Sequence, residues 1–476
     1  MAMGRRKECR QQELFVTADS LPTSDGHVFY SKLNQLLADE GFDRWIEELC
    51  ASYYSQSRGR PGIPPGIYFR MLLIGYFEGI QSQRGIAWRC ADSLSLRKFL
   101  GIPLTESTPD HSSMTYIRER LPQSVHEAVF EWVLRVAVSK KLIRGKTVAV
   151  DSTTLEADAA MKSIVRRDSG EDWRNYVIGL MRAEGVIGTD DQPSEEELRR
   201  FDKNRQGKKV SNEDWKSPSD PDAEITKMKD GTTHLAYKAE NVVDTESNLI
   251  IGAQIGPATA SDAVTLEDSL HAAQAHLENA GLSDAIKEVT ADKGYHSTQT
   301  LTALTEHTDY KTYIPEPKPP KGRRRNLRDR TLKERRAILN NRKRSKGRKG
   351  RELQRLRSEK VERSFAHTLE TGDGRRTRLR GIEKNQKRYF ILTAAYNLGV
   401  ILRQLFGIGT ARSLQGRKKA FANAFLAVLW LLGWLLPAIL DSQKSLRLKT
   451  RLWKNIFRSN FMPVAKSQNV LCSTGC

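Results

Sequence analysis

The chain's 476 residues carry a formal net charge of +21 and a pI near 9.7, with 38% hydrophobic and 28% charged side chains. It is long enough for two or three domains and reads as soluble and globular, and its positive excess favours a polyanionic partner, either nucleic acid or an anionic membrane surface. The five cysteines (Cys9, Cys50, Cys90, Cys472, Cys476) form no CxxC pair, which excludes a zinc site or disulfide scaffold, and Glu8 and Glu13 in a stretch without an apolar core exclude a secretory signal.

Residues 1–27 read as a loose leader. From Val28 to Tyr54 the apolar residues Leu33, Leu36, Leu37, Trp45, Ile46 and Leu49 fall at helical spacing. Pro64 and Pro65 open an apolar helix through Tyr68, Leu72, Leu73, Tyr76 and Phe77, and a further helix is expected over Arg84–Leu100, stopping at Gly101-Ile102-Pro103. Thr108-Pro109-Asp110 starts the next helix, with a capping residue and Pro at the first turn. That helix carries Arg118 and Arg120, expected to be exposed, so the arrangement resembles a helix-turn-helix; a plain helical bundle reads the same way. The helix Gln123–Leu142 closes an all-α region, 28–142, with a candidate DNA-binding role.

Lys146-Thr147-Val148-Ala149-Val150-Asp151 is a β-branched run that ends on an acid, the pattern of a buried strand delivering a carboxylate to a cleft. Residues 158–230 are dense in charge and turn formers and, apart from a helix near Trp173–Arg182, are expected to form an insertion or flexible lid. His234–Asp244 alternates like a strand, and Leu249–Ile255 pairs with it as a hairpin across Thr245–Asn248. A helix from Ser261 to about Ala280 follows, then a strand ending at Asp292, a helix capped by Ser297, and a strand over Tyr310–Ile314. Three antiparallel strands followed by βα units predict a mixed sheet with helices on its faces, an α/β architecture.

Between residues 318 and 357 stand 19 Lys or Arg against three acids (Asp329, Glu334, Glu352). A solvated charge run is the plain reading. At this density, and between two candidate catalytic acids, contact with a phosphate backbone is the better one, with Arg323, Arg324, Arg325, Arg342, Lys343 and Arg344, and Arg363 just beyond the run, as candidates. No aromatics interleave, so sequence-blind, salt-sensitive contact is expected. The run merges into a helix containing Glu362 and Arg363, followed by a basic loop (372–381) and an apolar helix, Gln386–Phe406. In the final section, 407–476, the uncharged stretch Ala420–Leu440 has the length of a membrane span, but Asn423, Gly433 and Pro437 interrupt it and both flanks are basic. It reads better as a buried C-terminal helix.

Asp151, Asp292 and Glu362, if they converge, make an all-oxygen site suited to Mg²⁺ or Mn²⁺ and to two-metal phosphoryl transfer. Spacing alone does not single them out from 57 acids. In ordered combination, Val148-Ala-Val-Asp151-Ser-Thr, Ala291-Asp292-Lys-Gly-Tyr295 and Val361-Glu362-Arg363-Ser-Phe365 resemble the DDE transposases of bacterial insertion sequences. Tyr237-Lys238-Ala, Asn397-Leu398 and the Ser107–Ser113 element give further support. The likeness spans most of 28–406. It implies an RNase H-like mixed sheet flanked by helices over 143–406, preceded by an all-α domain. It also implies Asp151, Asp292 and Glu362 as catalytic and metal-binding residues with two Mg²⁺ (or Mn²⁺). Double-stranded DNA (element terminal repeats and target) is the implied substrate, a homodimer or larger synaptic complex the assembly, and the cytoplasm, at the bacterial nucleoid, the location.

The sequence departs from the family in one respect. Many relatives have Arg four residues before the glutamate and Lys seven after it, where this chain has Ser358 and Leu369. Arg357, Arg363 and Arg375 are possible substitutes. Glu359 is the second choice for the third acid, and Asp262 reads as a helix cap before an accessory acid. A nuclease that hydrolyses without joining, a DNA-binding descendant with decayed catalysis, and a membrane-attached basic protein are the alternatives.

Overall fold

A computed structural model describes residues 17, 25–55, 62–205, 211–228, 231–319, 327–372 and 374–409. Arg323, Arg324, Arg325 and the Ala420–Leu440 stretch lie outside the described residues. So do Cys9, Cys472 and Cys476, while Cys50 and Cys90 are buried free thiols.

Seven helices come first: α1 (Asp25–Asp39), α2 (Phe42–Cys50), α3 (Pro65–Glu78), α4 (Gln83–Asp92), α5 (Leu94–Leu100), α6 (His111–Arg120) and α7 (Gln123–Ser139). Gly41, at φ +67°, takes the left-handed backbone that turns α1 into α2. The single helix expected over Arg84–Leu100 is two helices. Ser93 leaves helical geometry and its hydroxyl caps α5 by accepting from the Leu96 N–H, which an extended run of helix would forbid.

The strand from Thr147 is longer than expected: β1 (Thr147–Glu156) continues five residues past Asp151 because its far half pairs antiparallel with β5 (Thr233–Asp244) all the way to Ala236. Between them lie the short strands β2 (Val165–Arg166), β3 (Trp215–Lys216) and β4 (Glu224–Lys227) and the helices α8 (Trp173–Ala183) and α9 (Glu195–Asn204). The stretch expected to be a flexible lid is thus folded in its described residues. Val177, Met181 and Leu198 make a small core of their own, a Ser194/Glu197 capping box starts α9, and β4 joins the edge of the main sheet. Three buried apolar residues spread over 22 positions gave too thin a periodicity to read.

The hairpin partner β6 (Ile250–Pro257), α10 (Asp262–Asn279), β7 (Glu288–Ala291), α11 (Thr298–His307) and β8 (Lys311–Tyr313) follow in the predicted order. β6 and β4 both lie along β5, and from there the sheet runs β5-β1-β7-β8, with β1, β7 and β8 mutually parallel. Helices α12 (Leu332–Lys346), α13 (Arg348–Phe365) and α14 (Ile382–Phe406) complete the order, a mixed sheet flanked by helices and preceded by a helical region. Residues of the N-terminal helices, such as Trp132 and Phe130, share one apolar core with β1, β6 and α14. Among the described residues α14 is the one helix long and apolar enough to cross a membrane, and most of it is buried inside the fold, as a core helix is.

Three buried amides close the ends of the sheet. Asn397 accepts from the Ile250 N–H and donates to its carbonyl, and Gln386 does the same for the Ile255 N–H and the Ala253 carbonyl, so α14 satisfies the outer backbone of β6. Asn341 on α12 pairs with the N–H and C=O of Ile314 just beyond β8. Each amide covers backbone groups that would otherwise be orphaned or available to another chain.

Candidate active site

The register of the sheet brings two of the three acids together. Val150 of β1 lies opposite Ala291 of β7 in parallel pairing, so Asp151 and Asp292 are the next residues on neighbouring strands and share a direction. Adjacent strands run roughly 4.8 Å apart, so their carboxylates meet at the carboxyl end of the parallel pair.

Helix α13 supplies the countercharge. Gln354 donates to the carbonyls of Ala291 and Tyr313 and to the Thr290 hydroxyl at 2.7–3.0 Å, fixing the helix over the ends of β7 and β8. One turn on, Arg357 donates from Nη1 to Asp151 Oδ2 at 2.5 Å, and its Nη2 lies 3.9 Å from Asp292 Oδ1. Its side chain is 13% exposed and that of Asp151 24%, so this pair is largely shielded from water, whereas Asp292 is 47% exposed. Burial pushes the Asp151 carboxyl above its ordinary value. The fields of Asp292 and Asp262 push the same way, while Arg357 and the Ser152 N–H pull down.

Glu362 is exposed, accepts from the Ser358 hydroxyl at 2.9 Å, and does not join the two aspartates in a three-acid group among the described residues. Helical geometry accounts for this. The face of α13 against the sheet runs through Arg357, Val361 and Ser364, with Ser364 accepting from Asn241 beside Asp151, and Glu362 stands about 100° further round. Glu359, the second choice, is exposed and paired with Lys360 and Arg363. Among the described residues no three His, Cys, Asp or Glu side chains are set to hold a metal ion. The two aspartates nonetheless suit a hard divalent cation: they are oxygen donors, and a positive charge already bridges them.

Of the three arginines weighed as substitutes for the family's basic positions, Arg357 alone reaches the aspartates; Arg363 pairs with Glu359 and Arg375 with Glu370. Leu369, where relatives carry Lys, is buried in the core. Asp262 is not the N-cap of α10. Ser261 is, without a side-chain bond, and Asp262 at the first helical position accepts from Ser152 Oγ at 2.9 Å and pairs with Lys238 at 2.7 Å. Strand alternation puts it on the other face of the sheet: Asp151 and Asn241 face α13, whereas Ser152, Lys238 and Glu240 face α10. There Lys238 and Glu240, both buried, sit in a network with Thr265, Ser269 and the Tyr295 hydroxyl. The i, i+2 spacing of Lys238 and Glu240 in a strand was the available signal for that pair.

The expected DNA contacts divide. Arg118 is not exposed. Its side chain is 12% accessible and lies beside Tyr68 and His126 at the junction of α3, α7 and α14. Arg120 is exposed, its guanidinium 4.8 Å from the Tyr54 ring. Arg342 pairs with Glu316 and Arg344 donates to the Thr312 carbonyl and hydroxyl, so these two hold the sheet edge; Lys343 and Arg363 are exposed. Arg348, Arg351 and Arg355, not singled out from the sequence, are exposed on one face of α13 and make no side-chain hydrogen bond or ion pair among the described residues.

The chain matches the family described as "Transposase DDE domain" over residues 144–398, more than half its length, and that described as "Transposase domain (DUF772)" over residues 16–120. No curated protein and no solved structure matches it.

Proposed function

This chain belongs to the DDE transposase family, enzymes that act on DNA, and from that premise we propose that Asp151, Asp292 and Glu362 are its catalytic carboxylates. The observation that carries the reading is the pair of aspartates side by side at the ends of parallel strands with one arginine bridging them. Family members generally depend on a divalent metal. Here Mg²⁺ or Mn²⁺, as two ions, would be held by Asp151, Asp292 and Glu362 and would supply an activated water or 3′-hydroxyl and charge stabilisation at the leaving oxygen.

The chain's own residues do the remainder. Arg357 balances the aspartates' charge until a divalent cation does so. Arg348, Arg351 and Arg355 present a row of cations along the same helix that bears Glu362, suited to the phosphates of a duplex leading to the acids. Arg120, Lys343 and Arg363 are outlying contacts, and the N-terminal helices help to recognise terminal repeats. The reaction is cleavage at the ends of the element and joining of the freed 3′-hydroxyl to target DNA, at the bacterial nucleoid in the cytoplasm. Two ends must be paired, so the working form is a homodimer or larger synaptic assembly.

The test is cleavage and strand joining on labelled DNA carrying the element ends with Mg²⁺ or Mn²⁺. Asp151→Asn, Asp292→Asn and Glu362→Gln are each expected to lose at least about 1,000-fold in rate, the several kcal/mol that a metal site contributes, while still binding DNA. Full activity in Glu362→Gln with loss in Glu359→Gln would move the third acid by one turn. Cutting without joining would identify a nuclease.

A further inference from the structure

One carboxylate behind the sheet touches both strand ends that carry the aspartates. Asp262, at the first position of α10, accepts at Oδ1 from the Ser152 hydroxyl at 2.9 Å and pairs there with Lys238 Nζ at 2.7 Å. Ser152 follows Asp151 directly, and its own N–H donates to Asp151 Oδ1 at 2.9 Å. The other oxygen, Oδ2, lies against Gly294, which stands just beyond Asp292 and Lys293. A Cβ on Gly294 would stand 2.9 Å from that oxygen, so glycine is there for room. Alternation along β1 turns Ser152 toward α10 while Asp151 faces α13, so Asp262 holds the strand ends from the back of the site. Its own position is held in turn. Buried Lys238 also donates to the Ala260 carbonyl and the Thr265 hydroxyl and pairs with Glu240 at 3.2 Å. The Thr300 hydroxyl donates to the Ala263 carbonyl, which ties the start of α10 to α11.

A third carboxylate close to two others is unfavourable by charge alone. Capping does not account for it, because Ser261 is the N-cap of α10 and Asp262 stands inside the helix. Lys238 and the helix N-terminus offset the charge, and what the acid adds is a fixed link between β1 and the turn after β7. A divalent cation needs its carboxylate ligands at a set separation, and groups outside the ligand shell supply that constraint. We propose that Asp262 is a positioning residue that sets the spacing of Asp151 and Asp292 for a divalent cation. The inference rests on the reading of those two aspartates as a metal site. Asp262 acts through Ser152 and Gly294 and is not itself a ligand.

The test is Mn²⁺ binding by the full chain, read from the EPR signal of unbound Mn²⁺, with the fold of each variant checked by thermal denaturation. Asp262→Ala is expected to weaken Mn²⁺ roughly 10-fold or more, the usual effect of losing a group that holds metal ligands in place. Asp262→Asn keeps an acceptor for the Ser152 hydroxyl and is expected to recover most of that loss. Gly294→Ala, whose methyl pushes Asp262 off Ser152, should weaken Mn²⁺ too, and should add little when combined with Asp262→Ala. Ser269→Ala is the control: Ser269 joins the same network through Glu240, so stability should fall while Mn²⁺ affinity stays. Unchanged affinity in both Asp262→Ala and Gly294→Ala would overturn the proposal. So would equal losses in Asp262→Asn and Asp262→Ala, which would make Asp262 a ligand or a source of charge. Asp151→Asn and Asp292→Asn decide the underlying reading. If wild type binds no Mn²⁺, or these two variants bind it as well as wild type does, both readings fall; if they lose it and Asp262→Ala does not, the positioning role alone falls.

Discussion

Helices α12 and α13 arise from one basic stretch, yet their arginines do opposite things. On α12, Arg342 and Arg344 are committed to Glu316 and to the backbone and hydroxyl of Thr312, closing the β8 edge. On α13, Arg348, Arg351 and Arg355 face solvent without side-chain partners among the described residues, and Arg357 on the same helix turns inward onto Asp151. Charge density announces a polyanion partner, but direction decides which cations meet it. Of the arginines expected at DNA, Arg342 and Arg344 hold the fold, while three that were not singled out are exposed.

The comparison can be broken in order of effect. Arg357→Gln removes the cation between two carboxylates in a partly buried site, and about 3 kcal/mol of stability is expected to go with it in metal-free conditions. Mg²⁺ should restore more of that loss in the variant than it adds to the wild type, which thermal denaturation with and without the ion measures. An equal gain in both proteins would detach Arg357 from the cation site. Next, the triple variant Arg348→Gln, Arg351→Gln, Arg355→Gln should leave stability within about 0.5 kcal/mol of wild type. It should also lower the slope of log affinity for DNA against log salt by about 3. Arg344→Gln is the mirror image. It should lose about 1–2 kcal/mol from two missing hydrogen bonds to Thr312 while the salt slope stays unchanged.

The smallest effect concerns pH. Because burial holds Asp151 above its ordinary value, the folded state binds this proton more tightly than the unfolded chain does. The resulting stability is full below the unfolded carboxylate range and is lost as pH rises through the folded value. Arg357→Gln removes the strongest downward pull, so this loss should move to higher pH. A carboxyl NMR titration of the metal-free protein reads it directly, and an unmoved or lowered Asp151 would contradict the pairing.

Much of the catalytic region was legible because its signals are local. A β-branched run before Asp151, the alternation of His234–Asp244, the Ser297 cap and the Asp292 turn each carry their structure within a few residues, and their order fixes the topology. The small folded insertion was not legible, since Val177, Met181 and Leu198 meet only in three dimensions. Neither was the end of β1, because pairing with β5, not the β-branched run, sets its length.

By itself, then, the sequence determined the order of the strands and helices of the catalytic region outside the insertion, the two aspartates at matching strand positions, and the concentration of positive charge, all properties of short windows and their succession. The tertiary structure alone decided that Asp151 and Asp292 share Arg357, that Glu362 stands off the buried face of α13, and that Asp262 belongs to the opposite side of the sheet. It also decided that Arg118 turns inward beside Tyr68 and His126 while Arg351 turns out. The physical reason is common to all of them. A side chain's partner is set by the register of the strand or the phase of the helix that carries it relative to neighbours distant in sequence. One residue of strand register, or 100° of helix, exchanges a buried contact for a solvated one.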